Sequence, residues 1–263
     1  MANPASGNGP APGDGYVQSF ARGLQVIRAF GSARPRMTLS EVAANSGMTR
    51  AGARRILLTL QALGYVDGDD RLFALTPRIL DLGFAYLSSM PIWGHAEPAM
   101  EALVENVKES SSAAVLDGTD IVYVLRVPTR KIMTIGLGVG SRLPAYCTSM
   151  GRVLLAALSD EDLVRLLRAS KPQSLTRYTV TDVDELATRI KQVRRQGWSI
   201  VNQELEEGLI SVAAPIYNRG GRLIAAINLS GQANRTNVRI AQERLLPPLL
   251  EAAQTISAAL RAR

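Results

Sequence analysis

Two short amphipathic helices joined by a glycine turn constrain the fold of this chain more than any other feature. Thr38 and Glu41 have the spacing of a capping box, which predicts that a helix begins there. Gly47 provides the turn, and apolar residues recurring at i, i+3, i+4 and i+7 predict a second helix over residues 49–63. Gly64 follows and ends that helix. Helix pairs of this kind are typical of proteins that bind DNA.

A further helix precedes this pair and a β-hairpin follows it. From Ser19, the segment LQVIRAF has one apolar face and predicts the first helix. The segments YV and RLFAL predict two strands around the turn sequence DGDD at residues 67–70. Three helices and a hairpin in this order predict a winged helix-turn-helix domain over residues 19–77. Residues 1–18 are rich in Gly, Pro and Asn, and we predict a disordered tail there.

Positive charge is concentrated in the same part of the chain. The net charge is +7, and residues 19–66 contain seven arginines against the single acidic residue Glu41. Nearly all of the excess charge therefore lies in one short block. This concentration favours a polyanionic partner such as double-stranded DNA over a merely solvated charged surface.

The helix predicted over residues 49–63 would present its polar face to the major groove. At 100° per residue, Ala51, Arg54 and Arg55 point away from the apolar stripe, and the start of this helix is the part of the motif that enters the groove. Arginine suits this place because its planar fork binds either guanine or a phosphate. Gly52 either admits the DNA backbone or accommodates local packing. The predicted DNA contacts are Thr49, Arg50, Ala51, Arg54 and Arg55, with Arg22 and Arg71 as weaker phosphate contacts.

The segment after the hairpin predicts a connector. Pro77 suits the first turn of a helix, and the following RILDLGFAYLSS has a broad apolar face. We predict a linker helix over residues 78–90 that packs on a partner subunit. The alternative is packing within its own chain.

The remaining residues 91–263 alternate helices with strands, which indicates one α+β sensory domain. Strands are predicted in residues 112–127, in residues 131–138, and in the segments WSIVNQ, LISVAAPIY and LIAAINLSG. The last 30 or so residues predict one amphipathic C-terminal helix. Gly136, Gly138 and Gly140 alternate in GLGVGS, which suggests that something approaches the backbone there, although the spacing is not that of a dinucleotide-binding loop.

Composition excludes several classes of protein. No run of 18 or more apolar residues occurs, and the first residues lack an export signal, so we expect a cytoplasmic protein that does not enter the membrane. One cysteine, Cys147, and one histidine, His95, leave no disulfide framework, metal cluster or catalytic triad, and no cofactor is predicted. Glu204, Glu206 and Glu207 are interpreted as a charged turn rather than as acid catalysts, so no enzymatic activity is expected. A redox role of Cys147 is the alternative input, disfavoured because no Lys or Arg adjoins it.

Three blocks of the chain together resemble the IclR-type transcription regulators over residues 19–263. They are SFARGLQVIRAFG with TLSEVAANSGMTRAGARRILLTLQALGYV, then LPAYCTSMGRVLLAAL, and then GWSIVNQELEEGLISVAAPIYNRGGRLIAAINLSG. The stretches YVQSFARGLQVIRAF and FALTPRILDLGFAYLSS are most similar to the branch that controls protocatechuate, 4-hydroxybenzoate and β-ketoadipate catabolism. The resemblance implies a GAF-like C-terminal domain, homodimers or tetramers on a palindromic operator, and a small organic or aromatic carboxylate effector.

The resemblance also implies where the effector pocket lies. Backbone N–H groups at a helix N-terminus would favour an anionic group, and hydroxyl and amide side chains would orient it. An ordinary capping or strand-end role is the alternative for each polar residue, and a glyoxylate- or pyruvate-type carboxylate is the alternative to an aromatic acid. The implied pocket residues are Ser149, Met150, Asn202, Ser211, Asn228 and Ser230, with apolar walls from Ile132, Ile135, Leu143 and Leu209.

Overall fold

The structure is a computed structural model that describes residues 13, 15–31, 33–69, 71–89, 92–129 and 137–261. It divides into two compact units, residues 1–90 and residues 91–263, which we call the N-terminal unit and the C-terminal unit. Within the described residues, every helix is too short or too polar to span a bilayer.

The N-terminal unit is a winged helix-turn-helix. Its helices are α1 (Gln18–Ala29), α2 (Leu39–Asn45) and α3 (Arg50–Ala62), and its strands are β1 (Arg36–Met37), β2 (Val66–Gly68) and β3 (Phe73–Leu75). The strands form a small antiparallel sheet in the order β1-β3-β2. The predicted helices and hairpin are confirmed. β1 was not predicted, because a strand of two residues shows no alternation of polar and apolar side chains.

Capping side chains fix where α2 begins, and a glycine fixes where α3 ends. Thr38 Oγ1 accepts a hydrogen bond from the Glu41 N–H at 3.3 Å, and the Glu41 carboxylate accepts one from the Thr38 N–H at 2.7 Å, as the capping box predicts. These bonds from Thr38 lower the pKa of Glu41. Gly64 has a φ of +78° just after α3, which glycine adopts without strain. The elements enclose a core that includes Val26, Met37, Val42, Leu57 and Phe73.

A 3₁₀ turn at Pro77–Ile79 leads from the hairpin into α4 (Leu80–Ser88). None of the residues of α4 is buried, and the exposed fraction is 69% for both Leu80 and Phe84. Leu82 and Tyr86 are exposed as well. Leu80 and Phe84, one turn apart, thus form an exposed apolar face of α4, and Leu82 and Tyr86 lie on the opposite side of the helix.

The C-terminal unit is built on one six-stranded antiparallel sheet with the strand order β6-β5-β4-β9-β8-β7. Its strands are β4 (Ser110–Asp117), β5 (Asp120–Val127), β6 (Arg142–Pro144), β7 (Ser199–Asn202), β8 (Leu209–Tyr217) and β9 (Leu223–Gln232). Its helices are α5 (Ile92–Val107), α6 (Ser149–Leu155), α7 (Asp160–Ser170), α8 (Val183–Gln196), α9 (Val238–Ile240) and α10 (Leu246–Arg261). The predicted class, an α+β chain with a winged helix-turn-helix and a C-terminal α/β domain, is confirmed.

Helices cover both faces of this sheet. The cluster formed with α6, α7 and α8 includes Ala114, Ala213 and Ala226 from three neighbouring strands. Val212 and Ile227 alternate with these residues and are also fully buried, so the opposite face is covered as well. There α10 packs on β8 and on α5.

Two details of the C-terminal unit were not predicted from sequence. One is the short strand β6. The other is a π-helical turn at Ala241–Leu245 within the predicted C-terminal helix, which runs without a break from α9 through this turn to the end of α10. Pro247 and Pro248 early in α10 have no N–H to donate to the preceding turn, which accounts for the irregularity.

The predicted strand over residues 131–138 lies almost wholly outside the described residues, and Leu137 and Gly138 are not in a strand. A Cβ atom at Gly138 or Gly140 would meet no atom within 4 Å, so no described part of the protein packs closely against these glycines. Gly140 has a φ of +87° and lies in a turn. The close approach of something to the backbone there stays a prediction. Gly136 lies outside the described residues.

Candidate functional site

The exposed side of α3 is a positively charged surface. Ala53, Leu57 and Leu60 are buried in the core of the N-terminal unit, whereas the residues predicted to contact DNA are all exposed, namely Thr49, Arg50, Ala51, Arg54 and Arg55. None of the three arginine side chains forms a hydrogen bond or an ion pair with any other described residue. These guanidinium groups are therefore available to a polyanion without breaking an internal contact.

The first turn of α3 explains the glycine within it. Thr49 Oγ1 accepts a hydrogen bond from the Gly52 N–H at 3.2 Å, and a Cβ atom on Gly52 would lie 3.2 Å from the same Oγ1. The structure thus favours the packing explanation for Gly52. Arg22, in α1, and Arg71, in the turn between β2 and β3, are exposed as predicted.

The C-terminal unit contains a pocket between one face of the sheet and the segment leading into α6. Its apolar wall consists of Leu137, Met150, Val201, Leu205 and Leu209. Its polar lining consists of Tyr123, Arg126, Thr148 and Glu204, together with the serines and the asparagine described below. The empty space between the lining atoms is about 510 Å³, part of it open to solvent, and only a small part of it is wide enough for a water molecule. A ring-sized ligand would therefore have to displace lining side chains.

Strand register decides which side chains face this pocket. Val201 pairs with Ser211, and Ser211 pairs with Ser230, so these residues form one row across β7, β8 and β9. The next row runs from Asn228 through Ser112 on β4 to Arg126 on β5. Because paired residues in a sheet share a face, residues from five strands lie on the pocket side.

Four polar side chains of the pocket form one hydrogen-bonded cluster. Ser149 Oγ lies 2.7 Å from Ser211 Oγ, and the Asn228 amide donates from Nδ2 to Ser211 Oγ at 3.1 Å and to Ser230 Oγ at 3.0 Å. Asn228 Oδ1 accepts from the Ser112 N–H at 2.9 Å, which fixes the orientation of the amide. We call Ser149, Ser211, Asn228 and Ser230 the polar cluster. Its members were all assigned to the pocket from sequence, and the structure brings them together.

A glycine lets the start of α6 lie against the preceding turn. A Cβ atom on Gly151 would lie 2.2 Å from the Ala145 carbonyl oxygen and 2.5 Å from Thr148 Oγ1, both impossible contacts. Thr148 Oγ1 in turn accepts from the Gly151 N–H at 3.2 Å and begins the helix. This close packing holds Ser149 and Met150 at the pocket.

A buried ion pair closes the pocket on the side of the β7–β8 connection. Arg152 NH2 lies 2.6 Å from Glu204 Oε2, with both side chains almost fully buried. Arg152 Nε also donates to the Tyr146 carbonyl oxygen at 2.9 Å, and Arg189 lies 3.6 Å from the other Glu204 oxygen. Glu204 thus lies in the predicted connection between two strands, but its side chain is buried and paired, which the sequence did not indicate. Glu207, three residues further on, is exposed.

Two further pocket residues were missed from sequence. Tyr123 and Arg126 both lie on β5 and line the pocket. Burial raises the pKa of Tyr123 to about 12, and the positive charge of Arg126 acts in the opposite direction. The sequence signal for Arg126 was an arginine within the otherwise apolar strand IVYVLRV, because a cation in such a strand needs a counter-ion or a hydrogen-bond acceptor.

The only cysteine lines the same pocket but is poorly suited to a redox role. Burial raises the pKa of Cys147 to about 12, and the nearby Glu204 carboxylate adds to the rise. The thiol therefore stays protonated at neutral pH, whereas oxidation and disulfide exchange need the thiolate.

Several residues assigned to the pocket from sequence do not lie there. Asn202 follows Val201 on β7 and so faces the other side of the sheet, where its Oδ1 atom has no hydrogen-bond partner in the described part of the chain. Leu143, opposite Ile121 on β6 and β5, packs into the core instead of lining the pocket. Ile132 and Ile135 lie outside the described residues. Leu209 lines the pocket as expected.

An exposed cationic helix in a winged helix-turn-helix, and a separate α/β unit with a polar and apolar pocket, together define a ligand-responsive DNA-binding regulator. Residues 19–70 match the IclR helix-turn-helix domain, and residues 84–258 match the C-terminal domain of the bacterial transcriptional regulator IclR. The chain belongs to the IclR family.

Two curated relatives and a solved structure are similar to this chain over almost its whole length. The Pca regulon regulatory protein of Pseudomonas putida is 41% identical over 258 residues, which cover 97% of this chain and 89% of the relative. The p-hydroxybenzoate hydroxylase transcriptional activator of Acinetobacter baylyi is 35% identical over 246 residues, covering 92% and 91%. A solved structure from Rhodococcus sp. RHA1, described as a candidate transcriptional regulator, is 50% identical with a TM-score of 0.84, covering 94% and 99%. The chain is accordingly a transcription regulator rather than an enzyme.

Proposed function

We propose that this chain regulates the catabolism of aromatic acids, with the N-terminal unit bound to an operator and the C-terminal unit bound to an aromatic-acid effector. The pocket is the observation that carries the proposal, because it combines an apolar wall with hydroxyl and amide groups held in the polar cluster. A hydroxylated aromatic ring needs that combination. The names of the two curated relatives, which refer to the pca regulon and to p-hydroxybenzoate hydroxylase, support the pathway.

The effector site in this proposal keeps most of the residues expected from sequence. Val201 takes the place of Asn202 because it faces the pocket, and Leu143 is left out. The proposed effector contacts are Ser149, Met150, Val201, Leu209, Ser211, Asn228 and Ser230.

The operator contacts are proposed on the exposed arginines of the N-terminal unit. Their guanidinium groups have no internal partners to give up, and a fork of this kind binds guanine or phosphate. We propose a cytoplasmic location, because a protein that binds an operator works where the chromosomal DNA lies. The proposed contacts are Thr49, Arg50, Ala51, Arg54 and Arg55 on or beside α3, with Arg22 and Arg71 on flanking phosphates.

A second copy of this chain is the proposed occupant of the apolar face of α4. Leu80 and Phe84 are exposed there, and a symmetric pair of such helices would bury this face on both copies. The result would be a homodimer on a palindromic operator, or a tetramer if two dimers associate.

A glyoxylate- or pyruvate-type carboxylate is the second candidate effector. The narrowness of the pocket favours it because a two- or three-carbon acid would displace fewer side chains.

A thermal-shift screen of the full chain distinguishes the two candidates. The panel is protocatechuate, 4-hydroxybenzoate, β-ketoadipate, muconate, pyruvate and glyoxylate. A ligand at about 100 times its dissociation constant should add roughly 2.7 kcal/mol of stability, which raises the melting temperature by several degrees, roughly 2–4 °C per kcal/mol. We expect the shift from an aromatic acid or its ring-cleavage product, together with changed affinity for the chain's own upstream DNA.

Stabilisation by glyoxylate or pyruvate alone would replace the aromatic effector with the second candidate. Absence of a shift from every acid would refute the effector assignment, while specific binding of upstream DNA in a gel shift would leave the regulator itself in place.

A further inference from the structure

Two side chains on β5 differ from all other described polar groups that line the pocket. The polar cluster is hydrogen-bonded within itself, Thr148 Oγ1 donates to the Pro144 carbonyl oxygen, and Glu204 is held by arginines. By contrast, the Tyr123 hydroxyl and the Arg126 guanidinium have no hydrogen-bond or ion-pair partner among the described residues. Both are donors on side chains that line the pocket, and Tyr123 is only 5% exposed while Arg126 is partly buried. Donors largely removed from bulk water are normally satisfied by a partner.

A β-bulge brings these two donors onto one face of the sheet. Residues three apart on a regular strand point to opposite faces. Here the register shifts between Ala113 and Ala114, which pair with Leu125 and Tyr123 and leave Val124 as an extra residue on β5. The extra residue restores Tyr123 and Arg126 to the same side, where both line the pocket. The bulge is thus the structural reason why one strand offers two donors to one ligand.

The charge balance of the pocket leaves Arg126 uncompensated. The other ionised side chain in the described lining is Glu204, and Arg152 at 2.6 Å and Arg189 at 3.6 Å neutralise it. A partly buried cation without a counter-ion favours an anionic ligand over a neutral one.

We infer that Tyr123 and Arg126 form a clamp for the carboxylate of the effector, while the polar cluster binds a hydroxyl group at the other end of the ligand. The inference rests on the proposed function and refines it. It moves the anion from the N-terminus of α6, where the Gly151 N–H is already capped by Thr148, to β5. A carboxylate has two acceptor oxygens, so it can bind the tyrosine hydroxyl and the guanidinium fork at the same time.

The spacing of the two ends selects the shape of the ligand. Arg126 pairs with Ser112, and Ser112 pairs with Asn228, so the backbones of Arg126 and Asn228 lie two strand spacings apart, about 10 Å. An aromatic ring with a carboxylate on one side and a hydroxyl on the other spans such a gap between two side chains. A two- or three-carbon acid would reach only one end.

Isothermal titration of the full chain with 4-hydroxybenzoate, protocatechuate and the neutral 4-hydroxybenzamide tests the clamp. We expect wild type to bind an acid at least about 10-fold more tightly than the amide, because only the acid meets the cation as a charge-assisted pair. Arg126→Gln should weaken binding of the acid by about 10- to 100-fold and leave the amide nearly unaffected. Tyr123→Phe should weaken the acid by a smaller factor, since it removes one of the two donors.

The matched control is Arg165→Gln, which removes an exposed arginine of α7 and should bind all three compounds like wild type. Unchanged affinity for the acid in Arg126→Gln would overturn the clamp while leaving the aromatic effector in place. If wild type bound none of the three compounds, both the clamp and the aromatic effector would fail. If Arg126→Gln did not fold, the comparison of acid with amide in wild type and in Tyr123→Phe would decide, equal affinities again overturning the clamp.

Discussion

The DNA-facing surface and the effector pocket use polar side chains in opposite ways. On α3, Arg50, Arg54 and Arg55 are exposed and have no partners among the described residues. In the pocket, the polar cluster and the Arg152–Glu204 pair are bound to one another before any ligand arrives. The first arrangement leaves long flexible side chains to be ordered by the polyanion, whereas the second is rigid in advance and lowers the entropy cost of binding.

Because of this difference, substitutions in the pocket and substitutions on the exposed surfaces should change different quantities, the free energy of unfolding and the affinity for another molecule. A residue of the pocket that is locked in a buried network supports the fold of the C-terminal unit, so its loss should be felt in unfolding. A residue of the exposed surfaces supports only an interaction with another molecule, so its loss should be felt in binding and not in unfolding.

The largest expected effect comes from breaking the buried ion pair. Glu204→Gln leaves the Arg152 guanidinium buried without its main counter-charge, which should lower the free energy of unfolding of the C-terminal unit by about 3–5 kcal/mol. Both tryptophans, Trp93 and Trp198, lie in this unit, so tryptophan fluorescence during urea denaturation of the full chain reports on it. Glu207→Gln, at the exposed neighbour, is the control and should change stability by less than about 0.5 kcal/mol. Equal stability of Glu204→Gln and Glu207→Gln would contradict the claim that the buried ion pair supports the fold of the C-terminal unit.

The next effect concerns the apolar face of α4. Phe84→Ala removes a side chain that the proposed dimer would bury, which costs about 1.5–3 kcal/mol and raises the dimer dissociation constant by about tenfold or more. Analytical ultracentrifugation over a range of protein concentrations measures this constant. Leu175→Ala, which shortens another exposed apolar side chain in the C-terminal unit, should leave it unchanged. An unaltered dimer in Phe84→Ala would exclude this face as the contact.

The smallest effect is expected at a single arginine of α3. Arg54→Ala should lose about 1–3 kcal/mol of specific operator affinity if Arg54 contacts a base, with the free energy of unfolding and the affinity for the effector unchanged. Fluorescence anisotropy at fixed salt measures the operator affinity, and Arg165→Ala provides a loss of equal charge in the other unit. Operator affinity equal to that of wild type would remove Arg54 from the contact surface.

The comparison also explains what could be predicted from sequence. The predicted face of α3 follows from helical periodicity alone, because every residue involved lies within a few turns of one helix. The capping box of Thr38 and Glu41 is equally local and is confirmed at the expected atoms. Local patterns therefore sufficed for the N-terminal unit, apart from the two-residue strand β1.

The pocket depends on contacts between residues far apart in the chain, and periodicity does not determine them. Asn202 was assigned to the pocket although its neighbour Val201 faces it, an error of a single residue that reverses the face of the sheet. Tyr123 and Arg126 share a face only because of the bulge opposite Ala113 and Ala114. No pattern in the sequence predicts this bulge. The burial of Glu204 likewise depends on Arg152, 52 residues away.

The polar cluster has a consequence for how the regulator can change its specificity. Asn228 is fixed because its Oδ1 atom accepts from the Ser112 N–H, but Ser149, Ser211 and Ser230 can each rotate the hydroxyl hydrogen about the C–O bond. The hydrogen bond between Ser149 and Ser211 can run in either direction while every heavy atom stays in place, whereas Ser230 donates to Ser211. Ser149 can then accept a hydrogen bond from a ligand hydroxyl or donate one to a ligand carbonyl. This end of the pocket can therefore bind aromatic ligands with different polar groups without a substitution.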